Sequence, residues 1–303
     1  MTAPKSALTM NNLNPQLDIR IGTLVSASKG APYVKQILPH GFESFSLTFW
    51  QELDVDFAEN SAQVLEACGD KAVISSLGFF GNPLENEDHA AGIAACIDNA
   101  HLYGTNLVAG FAGALQDRPV PESLPQFKKV WGELAKRAED KGVKIAWENC
   151  EMGGNWNRPQ YNIAHAPTAW EMLFNEVDSP ALGLQWEPCH QMVSLIDPLP
   201  QLKKWIDKIF HVHGKDATIE WDVLRQSGLR GGKPFVHHRT PGFGDTNWSD
   251  VISILRMNKW SGAIDIEGWH DPVYKGELEM TGQVHGLNYL KRCRGGDYVP
   301  NPV

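Results

Sequence analysis

Short apolar runs alternate along this chain with longer segments of helical period, from residue 19 to residue 293. Strict succession of strand and helix implies right-handed crossovers and a parallel sheet, and eight copies predict an α/β fold of the (β/α)8 TIM-barrel type. The predicted strands are 19–27, 41–49, 73–80, 106–112, 143–150, 182–189, 209–214 and 263–268. The predicted helices include 55–68, 87–103, 123–140, 167–176, 198–208, 247–258 and 276–292.

The pattern shows no linker of domain size. It predicts a single barrel domain over 19–293, an N-terminal extension over 1–18 and a C-terminal tail over 294–303. The long stretch 215–246 follows the seventh strand, carries Gly, Pro, His and Arg, and is predicted to be an irregular functional lid. Neither GxGxxG nor GxxxxGK[ST] occurs, so nucleotide binding lacks its usual sequence support.

The fifth to eighth predicted strands each carry polar residues on one face. Side chains alternate along a strand, and large residues such as Ile145 and Trp147 must pack under the helices, so the opposite set points into the barrel. That inward set ends, at the carboxyl end of each strand, in a group that can bind metal. These groups are Glu148, Glu187, His213 and Glu267. Active sites of such barrels lie at this end.

Three carboxylates that converge without a cation repel one another and are forced to take up protons. We therefore predict that these four residues bind one divalent ion. An oxygen-rich set with one imidazole suits Mn²⁺ or Mg²⁺ and would also accept Co²⁺, Fe²⁺ or Zn²⁺. The alternative is that each glutamate is a solvated or salt-bridged rim residue and that His213 is a hydrogen-bonded core histidine. Four inward groups on consecutive strands favour the metal site.

The motifs on these strands resemble the xylose isomerase-like barrel superfamily of sugar phosphate isomerases and epimerases, over nearly the whole chain. The motifs are WENC (147–150), EPCH (187–190), HVHGKD (211–216), PGFGD (241–245) and IE (266–267). In epimerases of this group, the glutamates matching Glu148 and Glu267 bind metal and exchange protons with the carbon beside the carbonyl. The residues matching Glu187 and His213 complete the metal site, although the family has Asp at the sixth strand. The run 213–216 is more similar to the dehydratase-type members.

The resemblance implies a metal-dependent carbohydrate isomerase or epimerase that removes a proton next to a carbonyl through a metal-stabilised enediolate, with Glu148 and Glu267 as the catalytic pair. The alternative is a lyase, dehydratase or hydratase that acts on a 3-keto-sugar, keto-glycoside or inosose by β-elimination or water addition. Such an enediolate expels a leaving group when one stands β to the carbonyl. A barrel that binds sugar without catalysis is a third hypothesis.

Seven residues near the strand ends are candidates for contact with the sugar. They are His190, His211, Lys215, Arg239, Trp50, Trp156 and Trp269. Tryptophans can stack on a sugar ring. Lys215 could instead pair with Asp216, and Arg239 could simply hold its loop. The adjacent pair 237–238 is interpreted as a solvated loop segment.

Composition adds exclusions. The formal charge is 27 − 36 = −9, which disfavours polyanion partners and weighs against the endonuclease IV type of the same superfamily, an enzyme that needs a basic groove. No apolar run is long enough for a membrane span and the N-terminus lacks a signal-peptide core, so we predict a cytoplasmic protein without membrane partners. Five widely spaced cysteines without CxxC predict free thiols. Barrels of the superfamily that this chain resembles are often homo-oligomers, so the resemblance implies a homo-oligomeric state.

Overall fold

A computed structural model describes residues 14–302 and shows a closed barrel of eight parallel strands. The barrel strands are β1 (Ile19–Ser26), β2 (Ser44–Trp50), β3 (Val73–Phe80), β4 (Leu107–Gly110), β5 (Lys144–Glu148), β6 (Leu182–Trp186), β7 (Ile209–Gly214) and β10 (Gly262–Ile266). Around the barrel they follow the order β1, β10, β7, β6, β5, β4, β3, β2. The predicted (β/α)8 fold is confirmed.

Ten α-helices lie in the described part of the chain. They are α1 (Gly30–Ile37), α2 (Phe57–Cys68), α3 (Glu87–Asn99), α4 (Leu124–Lys141), α5 (Pro167–Glu176), α6 (Pro188–Val193), α7 (Pro198–Lys204), α8 (Trp221–Ser227), α9 (Trp248–Met257) and α10 (Glu279–Cys293). No helix within residues 14–302 is both long enough and apolar enough to cross a bilayer.

The outward face of β5 shows how packing orients the site. Trp147 lies fully buried beneath α4 and α5, with its ring centroid 5.1 Å from Trp131 and 5.5 Å from Phe174. Because neighbouring side chains on a strand point in opposite directions, the burial of Trp147 under these helices turns Glu148 into the barrel.

The sequence pattern predicts that the stretch 215–246 is irregular, and the structure shows that this prediction is wrong. Strands β8 (Asp216–Ile219) and β9 (Val236–Arg239) pair antiparallel within it, and α8 lies between them. Each strand has only four residues, too few for a periodic signal. The sixth strand also ends earlier than predicted because Pro188 begins α6 directly after Glu187.

Both ends of the described chain are attached to the bottom of the barrel. Arg294, placed in the predicted tail, is buried and donates to Glu43 and to the carbonyl of Ile19, each at 2.6 Å. Arg256 pairs with Asp18 at 3.0 Å. Most of the predicted N-terminal extension, residues 1–13, and residue 303 lie outside the described residues.

The N-terminus of α3 supports a stability prediction. The Asn86 side chain accepts hydrogen bonds from the backbone N–H groups of Asp88 and His89. Asn86→Ala leaves these groups without that acceptor and is expected to lower the free energy of unfolding by about 1 kcal/mol, whereas Asn86→Gly should cost only a few tenths. Urea denaturation of both variants measures this, and equal stabilities would contradict the capping role.

Candidate metal centre and active site

Four buried side chains converge at the carboxyl ends of β5, β6, β7 and β10. They belong to Glu148, Glu187, His213 and Glu267, and one donor atom from each lies within 4.8 Å of the others. Nδ1 of His213 is 3.3 Å from Oε1 of Glu148 and 3.3 Å from Oε2 of Glu267. The structure thus brings together the four residues that strand alternation points inward.

Two buried asparagines hold the strand ends that carry Glu148 and Glu187. Asn149 accepts a hydrogen bond from the backbone N–H of Glu187 at 2.7 Å and donates to its carbonyl at 2.9 Å. Asn162 donates to the carbonyl of Glu148 at 2.7 Å. These bonds engage only the main chain, so they position the two glutamates while leaving their carboxylate oxygens free for other ligands.

The donor atoms of the cluster fit a divalent ion. Among the described residues, both carboxylate oxygens of Glu187, Oε2 of Glu267 and Nε2 of His213 are buried and have no hydrogen-bond partner. Buried polar atoms are normally satisfied, and a cation is the partner that three convergent carboxylates require. Burial by itself lowers the pKa of His213, but the adjacent Glu148 and Glu267 raise it to about 10. The carboxylates therefore demand positive charge at this place.

The contact between Glu187 and His190 supports the same conclusion. Nε2 of His190 lies 2.9 Å from Oε1 of Glu187 and 3.2 Å from the Lys215 ammonium. Burial lowers the pKa of His190 to about 3, so its ring is neutral. A neutral nitrogen that accepts from Lys215 has no proton to give Glu187. Burial also raises the pKa of Glu187 to about 7, although the nearby Lys215 ammonium opposes this rise.

Lys215 is a buried cation beside the cluster. Its Nζ lies 2.8 Å from Oε1 of Glu267 and 4.0 Å from Oε2 of Glu187. Although burial opposes protonation, these carboxylates raise the pKa of Lys215 well above its ordinary value, so the ammonium is retained. The alternative pairing with Asp216 is wrong, because Asp216 accepts from the Trp248 indole at 3.0 Å and from backbone N–H groups.

Two further histidines, His270 and His238, lie beside Glu267 and His190. His270 Nε2 is 3.0 Å from Oε1 of Glu267, and the His238 ring lies edge-on to His190 with centroids 5.1 Å apart. The interpretation of His238 as solvated loop is wrong: it belongs to β9, and burial lowers its pKa to about 3. His270 follows Glu267 by three residues, beyond the strand, where alternation no longer reports direction.

A cavity of about 830 Å³ at the barrel mouth is lined in part by Glu148, His213 and Glu267, whereas Glu187 is fully buried and does not belong to the cavity wall. Lys215, His190, His238 and His270 line the same cavity. Of the seven sugar-contact candidates, the cavity wall includes His190, Lys215, Trp50 and Trp269. It also includes Phe80, Phe111, Cys150 and Met152, none of which is among the seven candidates.

The other three candidates lie elsewhere. His211 is inside the barrel below the cluster, where it contacts Asp265 at 2.7 Å and Gln185 at 2.8 Å. Arg239 pairs with Asp271 at 3.1 Å and so holds its loop, and Trp156 packs against the main core. The His211 side chain points into the barrel like that of His213. Because His211 lies two residues earlier on the strand, it is one layer deeper in the barrel. We therefore assign none of the three to sugar contact.

A family model described as xylose isomerase-like TIM barrel matches residues 34–293. The chain belongs to this family. Among curated proteins, it is 27% identical over 178 residues to an inosose dehydratase of Bacillus thuringiensis, covering 55% of this chain and 57% of that protein. An inosose dehydratase of Lactiplantibacillus plantarum is 30% identical over 174 residues, or 54% of each chain. The chain thus spans about half the length of these relatives.

Solved structures share the barrel of this xylose isomerase-like chain. The E. coli 3-keto-D-glucoside 4-epimerase YcjR gives a TM-score of 0.67 at 14% identity, covering 91% of this chain and all 100% of that one. The IOLI protein, whose structure has a binding zinc atom, gives 0.64 at 16% identity over 91% and 96% of the two chains. At these identities the likeness establishes the fold.

Proposed function

We propose that this chain is a divalent-metal-dependent carbohydrate enzyme that removes the proton next to the carbonyl of a sugar or keto-sugar. The observation that carries the proposal is the buried cluster of three carboxylates and one imidazole with unpartnered oxygens, at one end of a large cavity. The relatives called inosose dehydratase and the neighbours called epimerases support the same substrate class.

In this proposal Glu148, Glu187, His213 and Glu267 hold the ion, and Mn²⁺ or Mg²⁺ fits the oxygen-rich set best. A bound divalent ion supplies positive charge beside the carbonyl oxygen, where negative charge develops as the proton leaves. Glu148 ends β5 and Glu267 directly follows β10, so one carboxylate can take the proton and the other can return it. Return to the opposite face of the same carbon gives epimerisation, and return to the former carbonyl carbon gives isomerisation.

A specific observation favours β-elimination as a second candidate. The buried Lys215 ammonium lies beside Glu267 and His190, where it can donate a hydrogen bond to a hydroxyl on the carbon next to the one deprotonated. The carboxylate of Glu148 or Glu267 would take the proton, the electron pair of the broken C–H bond would form the carbon–carbon double bond, and the hydroxyl would leave as water with a proton from the Lys215 ammonium. The sequence relatives called inosose dehydratase support this route.

Proton NMR in deuterated water distinguishes the two reactions. The test substrates are inosose, D-psicose and a 3-keto-D-glucoside. We expect the metal-loaded protein to remove the proton from the carbon beside the carbonyl of at least one of these compounds. Deuterium incorporation without loss of water would identify an isomerase or epimerase, and release of one water with a new double bond would identify a dehydratase. Neither change with any of the three would contradict the proposed function. The cytoplasmic location and a homo-oligomeric state stay predictions.

A further inference from the structure

The cavity at the barrel mouth is lined by a charged cluster and by an aromatic cluster, called here the charged half and the apolar half, and polar residues such as Lys29, Tyr33 and Glu151 also belong to its wall. Strands β5, β6, β7 and β10 end in the carboxylates and imidazoles of the cluster. Trp50 and Phe80 are instead the last residues of β2 and β3, and Phe111 directly follows β4. All three line the same cavity as Glu148 and Glu267.

The apolar half is separate from the core that stabilises the barrel. Phe80, Phe111 and Cys150 form their own cluster, against which Met152 packs. The rings of Phe80 and Phe111 meet edge to face with centroids 5.2 Å apart, and Trp50 lies edge-on to Phe111 at 6.2 Å. Trp50 nevertheless remains 59% exposed and is part of the cavity wall.

The backbone holds this half in place. Gln51, directly after Trp50, has a φ of 64°, and Met152 has a φ of 49°, both in the left-handed region that non-glycine residues rarely adopt. The N–H of Gln51 donates to the carbonyl of Phe80 at 3.1 Å, which ties the end of β2 to that of β3. Strained conformations of this kind persist where the surrounding structure demands them, often at ligand sites.

A single sugar ring does not account for this surface. The volume of about 830 Å³ is near the upper end of the roughly 300–1,000 Å³ range of pockets for drug-sized ligands, and a hexose is smaller than those. The charged half already offers the hydrogen-bonding groups that one sugar needs. Sugar hydroxyls placed against Phe80, Phe111 and Met152 would lose their hydrogen bonds to water without replacement, which is unfavourable.

We propose that the substrate is a sugar that carries an aromatic substituent, an aryl glycoside or its keto form, with the aromatic ring on Trp50, Phe80 and Phe111. The sugar ring lies at the charged half. This inference rests on the proposed function for the position of the sugar, and it adds the chemical class of the group attached to it. Aromatic rings stack well on such a wall and need no hydrogen-bond partners.

Isothermal titration of the Mn²⁺-loaded protein tests the aromatic site by binding alone. The probes are phenyl and methyl β-D-glucopyranoside, and the same pair of β-D-galactopyranosides. We expect the phenyl glycoside to bind about tenfold more tightly than its methyl counterpart in at least one pair. Equal affinities in both pairs, or no measurable binding of either phenyl glycoside, would overturn the proposal.

Variants of Trp50 locate the site. Trp50→Ala should remove most of the phenyl preference, while Trp50→Phe should keep it. Trp221→Ala is the matched control, because Trp221 is 48% exposed on α8 and does not line the cavity. A preference that survives Trp50→Ala would overturn the assignment. Because binding is measured without turnover, failure of the NMR test with a retained preference would reject only the proposed reaction.

Discussion

Glu267→Gln is expected to lower the rate of proton exchange beside the substrate carbonyl by roughly 10²–10⁴-fold, the usual contribution of a general acid or base. The amide has nearly the same shape as the carboxyl but cannot take up the proton. It also leaves the Lys215 ammonium, now 2.8 Å from Oε1, without its carboxylate partner. Glu148→Gln should have an effect of the same order. The exchange rate is measured by NMR in deuterated water with saturating metal.

A surface glutamate provides the control for this experiment. Glu277→Gln makes the same chemical change at an exposed residue outside the cavity wall and should leave the exchange rate as it is. Circular dichroism of each variant separates loss of catalysis from loss of folding. A Glu267→Gln protein that is folded, metal-loaded and fully active would exclude Glu267 from the proton transfer.

Removal of the divalent ion is expected to abolish exchange and to lower the melting temperature by several degrees. A ligand present at 100 times its Kd stabilises the folded state by about 2.7 kcal/mol, and this contribution disappears in excess EDTA. The buried carboxylates of Glu148, Glu187 and Glu267 are the physical reason, since without the ion they repel one another. Thermal denaturation with EDTA, Mn²⁺ or Mg²⁺ measures the effect, and Mn²⁺ or Mg²⁺ should restore both properties.

Glu187→Gln tests whether the stabilisation arises at this cluster. Burial already raises the pKa of Glu187 to about 7, so a neutral side chain is compatible with the fold here. The variant should show a smaller rise in melting temperature on addition of metal than the wild type, because the ion loses one of its ligands. A wild-type melting temperature and exchange rate that do not respond to EDTA would argue against a metal-dependent reaction.

Much of the barrel and of its charged cluster could be predicted from the sequence because both depend on local periodicity. Trp147 must pack under helices, and alternation then turns Glu148 inward. The same rule applies to His213 on β7. Parallel strands of a closed barrel all end at the same face. The convergence of the four groups can therefore be predicted without the exact register of the strands.

Other residues of the site could not be predicted because they lie outside the barrel strands, where alternation does not determine which way a side chain points. His270 lies on the loop after β10, and His238 on a strand of only four residues. His211 shows the opposite error: its alternation is correct, but depth along the barrel axis places it with Asp265 rather than in the cavity. Periodicity determines a face and carries no information about depth or loop direction.

The sequence by itself determined the class of this protein: eight strand and helix units, one closed barrel, and three carboxylates with one imidazole on its inner face. These follow from hydrophobic patterning, which acts over a few residues. Only the tertiary structure decided that Lys215 pairs with Glu267 and that His238 and His270 lie against His190 and Glu267. It also decided that Trp50 and Phe111 form an apolar wall of the same cavity. Those contacts join residues far apart in the chain, and their distances depend on how the loops pack over the barrel mouth.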